Sequence, residues 1–123
     1  MTLSKRDLAR IERRLVATLT DACETAKAEI TGFSWLTHEF GEQPFPAGLV
    51  VVWVFDTEHE KAQALAAGQD ARMRELTALA LADADVQMSR PEQQVRLDSE
   101  QECERKDGGD WQKRLARLTK GRS

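Results

Sequence analysis

The pattern of apolar and polar positions divides this chain into stretches of different period. One run stands apart: Gly48-Leu49-Val50-Val51-Val52-Trp53-Val54-Phe55, continuous in large apolar, β-branched and aromatic residues. It follows Pro44 and Pro46 and stops at Asp56-Thr57, so its length and borders predict a strand. Alternation places Leu49, Val51, Trp53 and Phe55 on one face and Val50, Val52 and Val54 on the other. With no polar position on either face, the strand is expected to be covered on both sides.

The other stretches are arranged around it. Ser4-Lys5-Arg6-Asp7 has capping-box spacing, and Leu8, Ile11, Leu15, Leu19, Cys23, Ala26 and Ile30 follow at steps of three and four. This predicts a helix of about 25 residues with one apolar stripe, stopped near Gly32. Phe33 to Phe40 alternates as a strand, with Phe33, Trp35 and Thr37 on one face and Ser34, Leu36, His38 and Phe40 on the other. It should pair antiparallel with the apolar run, and Phe45, between two prolines, reads as a plug over the sheet edge. Thr57-Glu58-His59-Glu60 opens a second helix, with Ala62, Leu65 and Ala66 expected inward. Gly68 should break it, and a further helix carries Met73, Leu76, Leu79 and Ala80 inward until the pattern fades at Asp83-Ala84-Asp85. A turn is expected at Pro91. Gln94 to Asp98 is a short third strand, parallel to the second because a helical crossover joins them. Asp107 to Asp110 is a turn with Asp110 as a cap, and Trp111, Leu115 and Leu118 give a last short helix one apolar stripe.

This order, α-β-β-α-α-β with a short C-terminal helix, predicts an α+β fold: a small mixed three-stranded sheet with helices on one face. The reading divides the chain into a domain over residues 1–106 and a basic helix and tail over 107–123. The face of the central strand away from the main helices must then be covered, either by the last helix or by a second copy of the chain.

Charge adds a division along the chain. The first fourteen residues hold five bases against two acids, residues 32–104 five against fourteen, and residues 105–123 seven against two. Two basic ends therefore flank an acidic middle. If they formed one face, it would suit an anionic partner. No apolar run reaches the roughly 20 residues that span a bilayer, so no membrane partner is expected. The N-terminal stretch lacks the apolar core of a signal peptide. Cys23 and Cys103 are far apart and have no disulfide-framework spacing, which points to a reduced, cytoplasmic setting.

Candidate chemistry is sparse. Cys23, Cys103, His38 and His59 show no local metal-ligand spacing, so neither a metal nor another cofactor is expected. If the third strand continued, Asp98, Glu100, Glu102 and Glu104 would line one face, as a charged strand edge, as oxygen ligands for a hard cation, or in salt contact with the basic last helix. Nucleophile motifs, phosphate loops and dinucleotide fingerprints are absent, which argues against an enzyme. The candidate interaction residues are the aromatics Trp35, Trp53 and Trp111 and the bases Arg10, Arg13, Arg14, Lys113, Arg114 and Arg117.

Cys23-Glu24-Thr25-Ala26, Gly32-Phe33-Ser34-Trp35-Leu36-Thr37-His38, Val54-Phe55-Asp56-Thr57, Asp98-Ser99-Glu100 and Gly109-Asp110-Trp111 resemble a family of short bacterial proteins of uncharacterised function. Its members are often labelled Fis-family transcriptional regulators. That label implies a helix-turn-helix with two adjacent C-terminal helices, whereas Asp98 to Asp110 reads as acidic and strand-like, so no Fis residue is carried over. In topology the chain resembles the type II KH-like fold of bacterial ribosome-binding factor A, with Ala66-Ala67-Gly68 at the place of its helix kink. The N-terminal domain of the ribosome maturation factor RimP has a related order. The Gly-x-x-Gly loop that clamps nucleotides is absent here. The expected function is a non-enzymatic cytoplasmic binding module with a protein-interaction or regulatory role, working through the sheet face, as a homodimer or with another protein. The alternative is a nucleic-acid or ribosome-associated factor using the basic ends.

Overall fold

The computed structural model describes residues 4–40, 45, 48–88 and 94–119, with side chains described to residue 117. Its elements are α1 (Lys5–Glu29), β1 (Phe33–Phe40), β2 (Leu49–Phe55), α2 (Glu58–Ala66), α3 (Gln69–Asp83), β3 (Val95–Ser99), α4 (Glu100–Asp107) and α5 (Trp111–Thr119). The fold is α+β, with a mixed sheet in the order β1-β2-β3. β2 is the centre, antiparallel to β1 and parallel to β3. The turn expected at Pro91 lies outside the described residues.

All seven residues of β2 are buried, as a run without a polar position requires. Leu49, Val51, Trp53 and Phe55 join the main core with Leu15, Leu19, Ala26, Met73 and Leu81. Val50, Val52 and Val54 form a second, smaller core on the opposite face. α1 has both halves of its capping box: Asp7 N donates to Ser4 Oγ, and Ser4 N donates to the Asp7 carboxylate. Its N-terminal half meets the end of α3 through Arg14 and Asp85, 2.9 Å apart, and its C-terminal end meets the start of α3 through Glu29 and Arg72, at 2.9 Å. The two helices therefore run antiparallel over the main-core face.

Several expectations need correction. The β1–β2 register shifts between Phe33 and Trp35. This irregularity puts Phe33 in the main core, while Trp35 faces the second core, so the two aromatics do not share a face. In α2 the buried residue is Ala64, and Ala62, Leu65 and Ala66 are exposed. The helix is only nine residues long. Its orientation is set at its start, where Thr57 Oγ1 accepts from Glu60 N and Glu58 is tied to Ser99 and Gln101. Gly68 breaks the helix pair as expected, at φ 76°, a left-handed conformation that side chains adopt at a cost. In α3, Leu79 points outward at 56% exposure, and Thr77 and Leu81 complete the buried stripe with Met73, Leu76 and Ala80.

The largest correction is α4. Residues 100–107 are helical, so Asp98, Glu100, Glu102 and Glu104 do not form one row on a strand. Ser99 caps the helix by accepting from Glu102 N at 3.0 Å, and Gly108 ends it at φ 62°. The segment before the last helix is therefore helical and not strand-like as expected. Two short helices, α4 and α5, do adjoin there, joined through Gly108 and Gly109.

Candidate interaction surface

The second core shows how the chain covers its own sheet. α5 starts at a cap in which Asp110 Oδ1 accepts from Lys113 N at 3.1 Å. It lays Leu115 and Trp111 against Val50, Val52, Val54 and Trp35. A helix of nine residues is marginal alone in water, so it depends on this packing. The sheet face proposed above as a binding surface is thus covered by the chain's own C-terminal helix. Leu118 lies outside the described side chains.

Polar groups fasten that helix. Arg114 forms a two-pronged pair with Asp98, Nε to Oδ2 at 2.6 Å and Nη2 to Oδ1 at 2.8 Å, and its Nη1 reaches Asp107 Oδ2 at 2.9 Å. Arg117 also donates to Asp107. The hydrogen bond from Arg114 holds the Asp107 carboxyl below its usual range, with Arg117 acting in the same direction. The guanidinium of Arg114 is correspondingly raised, first by its bonds to Asp98. Cys103 lies on the buried side of α4, and burial pushes its thiol pKa up.

The candidate residues therefore divide. Trp53 is fully buried, with its indole N–H on Thr77 Oγ1 at 3.0 Å, and it offers nothing to a partner. Trp35 and Trp111 are half-buried and pack on each other against the second core. Arg114 is consumed by Asp98 and Asp107, and Arg117 by Asp107, while Arg14 pairs with Asp85. Arg10, Arg13 and Lys113 remain exposed. α1 and α5 lie on opposite faces of the sheet, so among the described residues the bases of the two helices do not merge into one face.

What sequence reasoning missed is the flank formed by α1 and β1. β1 pairs with β2 alone, which leaves its other edge without a strand partner among the described residues. Beside the end of this strand lies a groove of about 410 Å³, lined by Lys5, Leu8, Ala9, Glu12, Phe40, Phe45 and Gly48. Phe40 is 41% exposed and meets Phe45 at 5.9 Å between ring centroids. Phe45 also packs on the main core, in keeping with a plug. His38 Nε2 and Glu12 Oε2 are 3.2 Å apart and tie α1 to β1 just beyond the groove. Val16, one helical turn on, is 51% exposed. The signal in the sequence was β1 itself: eight residues, of which only Glu39 is a full charge, where edge strands usually carry several.

Among the described residues no cluster of three His, Cys, Asp or Glu is arranged to hold a metal ion, and no helix is long and apolar enough to cross a membrane. No family model matches the chain, and neither a curated protein nor a solved structure does.

Proposed function

We infer that the chain is a non-enzymatic cytoplasmic binding module with a protein-interaction or regulatory role. The observation that supports this is the α1–β1 flank, where a strand edge unpaired among the described residues runs beside an apolar groove and exposed Phe40 and Val16. Strand edges of this kind recruit a further strand, with backbone hydrogen bonds giving affinity and neighbouring side chains giving selectivity. The contact surface thereby moves from the sheet face to the sheet edge. Affinity capture with the full chain from its native cell, with and without nuclease, tests the reading. A protein that is retained after nuclease and lost with Phe40→Ser supports it. Recovery that disappears with nuclease, or that ignores Phe40→Ser, counts against it.

One observation favours the nucleic-acid or ribosome reading. Arg6, Arg10 and Arg13 are exposed at i, i+4 and i+7, on the side of α1 opposite its buried stripe. They could follow a phosphate backbone. The acidic middle and the internal use of Arg114 and Arg117 weaken that reading.

A further inference from the structure

We propose that α5 is an exchangeable arm: the seat it occupies on the sheet also takes α5 of a second copy, and the exchange is reciprocal. This concerns the sheet face opposite α1 and stands apart from the reading of the α1–β1 flank.

The seat and the arm lie on either side of a short hinge, Gly108-Gly109-Asp110. α5 brings Trp111, Arg114 and Leu115. The seat offers Val50, Val52, Val54 and Trp35 to the apolar side chains, Glu100 to the indole and Asp98 to the guanidinium. All of these seat residues precede Gly108, so every copy presents the same seat. None of these contacts requires that arm and seat belong to one chain.

The hinge holds the choice between the two. Gly108 and Gly109 both stand in the left-handed region, at φ 62° and 83°. A helix ordinarily ends on one such residue; here two in succession fold α5 back on the sheet. Apart from them, residues 100–118 hold no proline and no β-branched residue, so a helix opened at Ser99 could run on through α5. The closed and open forms therefore differ chiefly in the backbone of two glycines, the residue type for which that change is cheapest.

An opened chain does not rest in that state. Lifting α5 uncovers Val50, Val52 and Val54 and takes the guanidinium from Asp98 and Asp107. The nine-residue arm is itself marginal in water. What satisfies both halves is another opened chain. The two-pronged Arg114–Asp98 pair and the indole on Glu100 favour this helix over an amphipathic helix of other sequence. Two arms crossed about a two-fold axis close the assembly, and mass action favours it as concentration rises.

The test uses the full chain. Gly108→Ala combined with Gly109→Ala disfavours the left-handed turn by about tenfold at each position and favours the open helix. The dimer Kd should fall at least about a hundredfold. Sedimentation at tens of micromolar should then give twice the 13.9 kDa of one copy. A monomer there overturns the proposal, whether α5 stays closed or hangs loose and binds an apolar-surface dye. Complementation reads whether the arms cross. Asp98→Arg and Arg114→Asp, in separate chains, each set like charges in the clasp and should lower Tm and raise dye binding. In a one-to-one mixture, the unaltered arm of the first chain meets the unaltered seat of the second only by crossing over. A mixed dimer with reduced dye binding is the expected result. A mixture that behaves as the average of its two components overturns the exchange, even where the glycine variant dimerises through another surface.

Discussion

The indole rings of Trp35 and Trp111 meet edge to face, with centroids 5.0 Å apart, and both donate their N–H to one carboxylate, Glu100, at 2.6 and 2.8 Å. Trp35 belongs to β1, Trp111 to α5, and Glu100 opens α4. Three elements that are separate in sequence are joined at one point. The carboxylate satisfies two donors that would otherwise be taken from water with no partner, so the aromatic cover and its polar clasp act together.

Glu100→Ala should therefore cost more than a surface substitution, about 2 kcal/mol, and should raise binding of an apolar-surface dye. Glu100→Gln keeps one acceptor oxygen for two indole donors and should fall between the two. Denaturation by urea, followed through tryptophan fluorescence, measures both. A loss below about 0.5 kcal/mol for Glu100→Ala would mean that apolar contact alone holds α5.

Acid should loosen the same helix. The folded Asp107 carboxyl is held below its ordinary range, first by Arg114. A depressed carboxylate contributes stability that is fully present above its unfolded pKa, near 3.8, and is lost as pH falls through the folded value. The contribution should thus be flat from neutrality to about pH 5 and decline below pH 4. Asp107→Asn should lower stability at neutral pH and reduce the steepness of the acid limb. Thermal melts between pH 7 and pH 2 check this, and parallel curves for the two proteins would exclude Asp107 as the titrating group.

Much of this architecture is legible in the chain. Ser4-x-x-Asp7 and a stripe at steps of three and four define α1, and an eight-residue run without a polar position defines a strand covered on both faces. The amphipathic order of Trp111 and Leu115 points to the docking of α5 on that strand. α4 also has its signals in the chain: Ser99-x-x-Glu102 has the spacing that marks α1, and Gly108 follows Arg105 and Lys106 as a helix stop. Its lack of an apolar stripe hid it, because its buried residues are Glu102, Cys103 and Asp107. The β1 irregularity is of another kind. Strict alternation puts Phe33 with Trp35, and only the tertiary demand for Phe33 beside Trp53 and Phe55 separates them. The α1–β1 flank depends on which helix overhangs which edge, which no single segment encodes.

Two glycines with positive φ should respond differently to substitution. Gly68, at φ 76°, has open space where a Cβ would stand, so Gly68→Ala should cost only the backbone term, about 1–2 kcal/mol. At Gly32, φ 82°, an added Cβ would lie 2.6 Å from both Glu60 Cβ and Glu60 Cδ and 2.8 Å from its Cγ, of which alanine at 60 removes the last two, and the peptide carbonyl accepts from Asp56 N at 3.1 Å. Gly32→Ala should therefore be the more damaging of the two. Shortening the residue at 60 should recover part of the difference, so Gly32→Ala combined with Glu60→Ala should melt above Gly32→Ala alone. If Gly68→Ala is the worse variant, close approach to Glu60 does not govern the start of β1.

A fully buried polar contact crosses the main core between β2 and α3. Trp53 is fully buried in the middle of β2, and its indole N–H reaches Thr77 Oγ1 on α3 at 3.0 Å. Thr77 Oγ1 in turn donates to Met73 O at 2.8 Å, so the hydroxyl is used as both acceptor and donor. Thr77→Val keeps the shape but removes the acceptor, leaving a buried N–H without a partner at a cost of about 1–3 kcal/mol. Trp53→Ala also opens a cavity and should cost about 3–5 kcal/mol. Trp53→Phe removes the donor together with part of the ring, so the loss of Thr77 Oγ1 should matter less in that background. A double-mutant cycle on urea unfolding isolates this coupling. Thr77→Val should be clearly milder in the Trp53→Phe background than in the chain that keeps Trp53. Equal costs in the two backgrounds would mean that the hydroxyl serves only the helix, through Met73 O, and that apolar packing alone fixes Trp53 under α3.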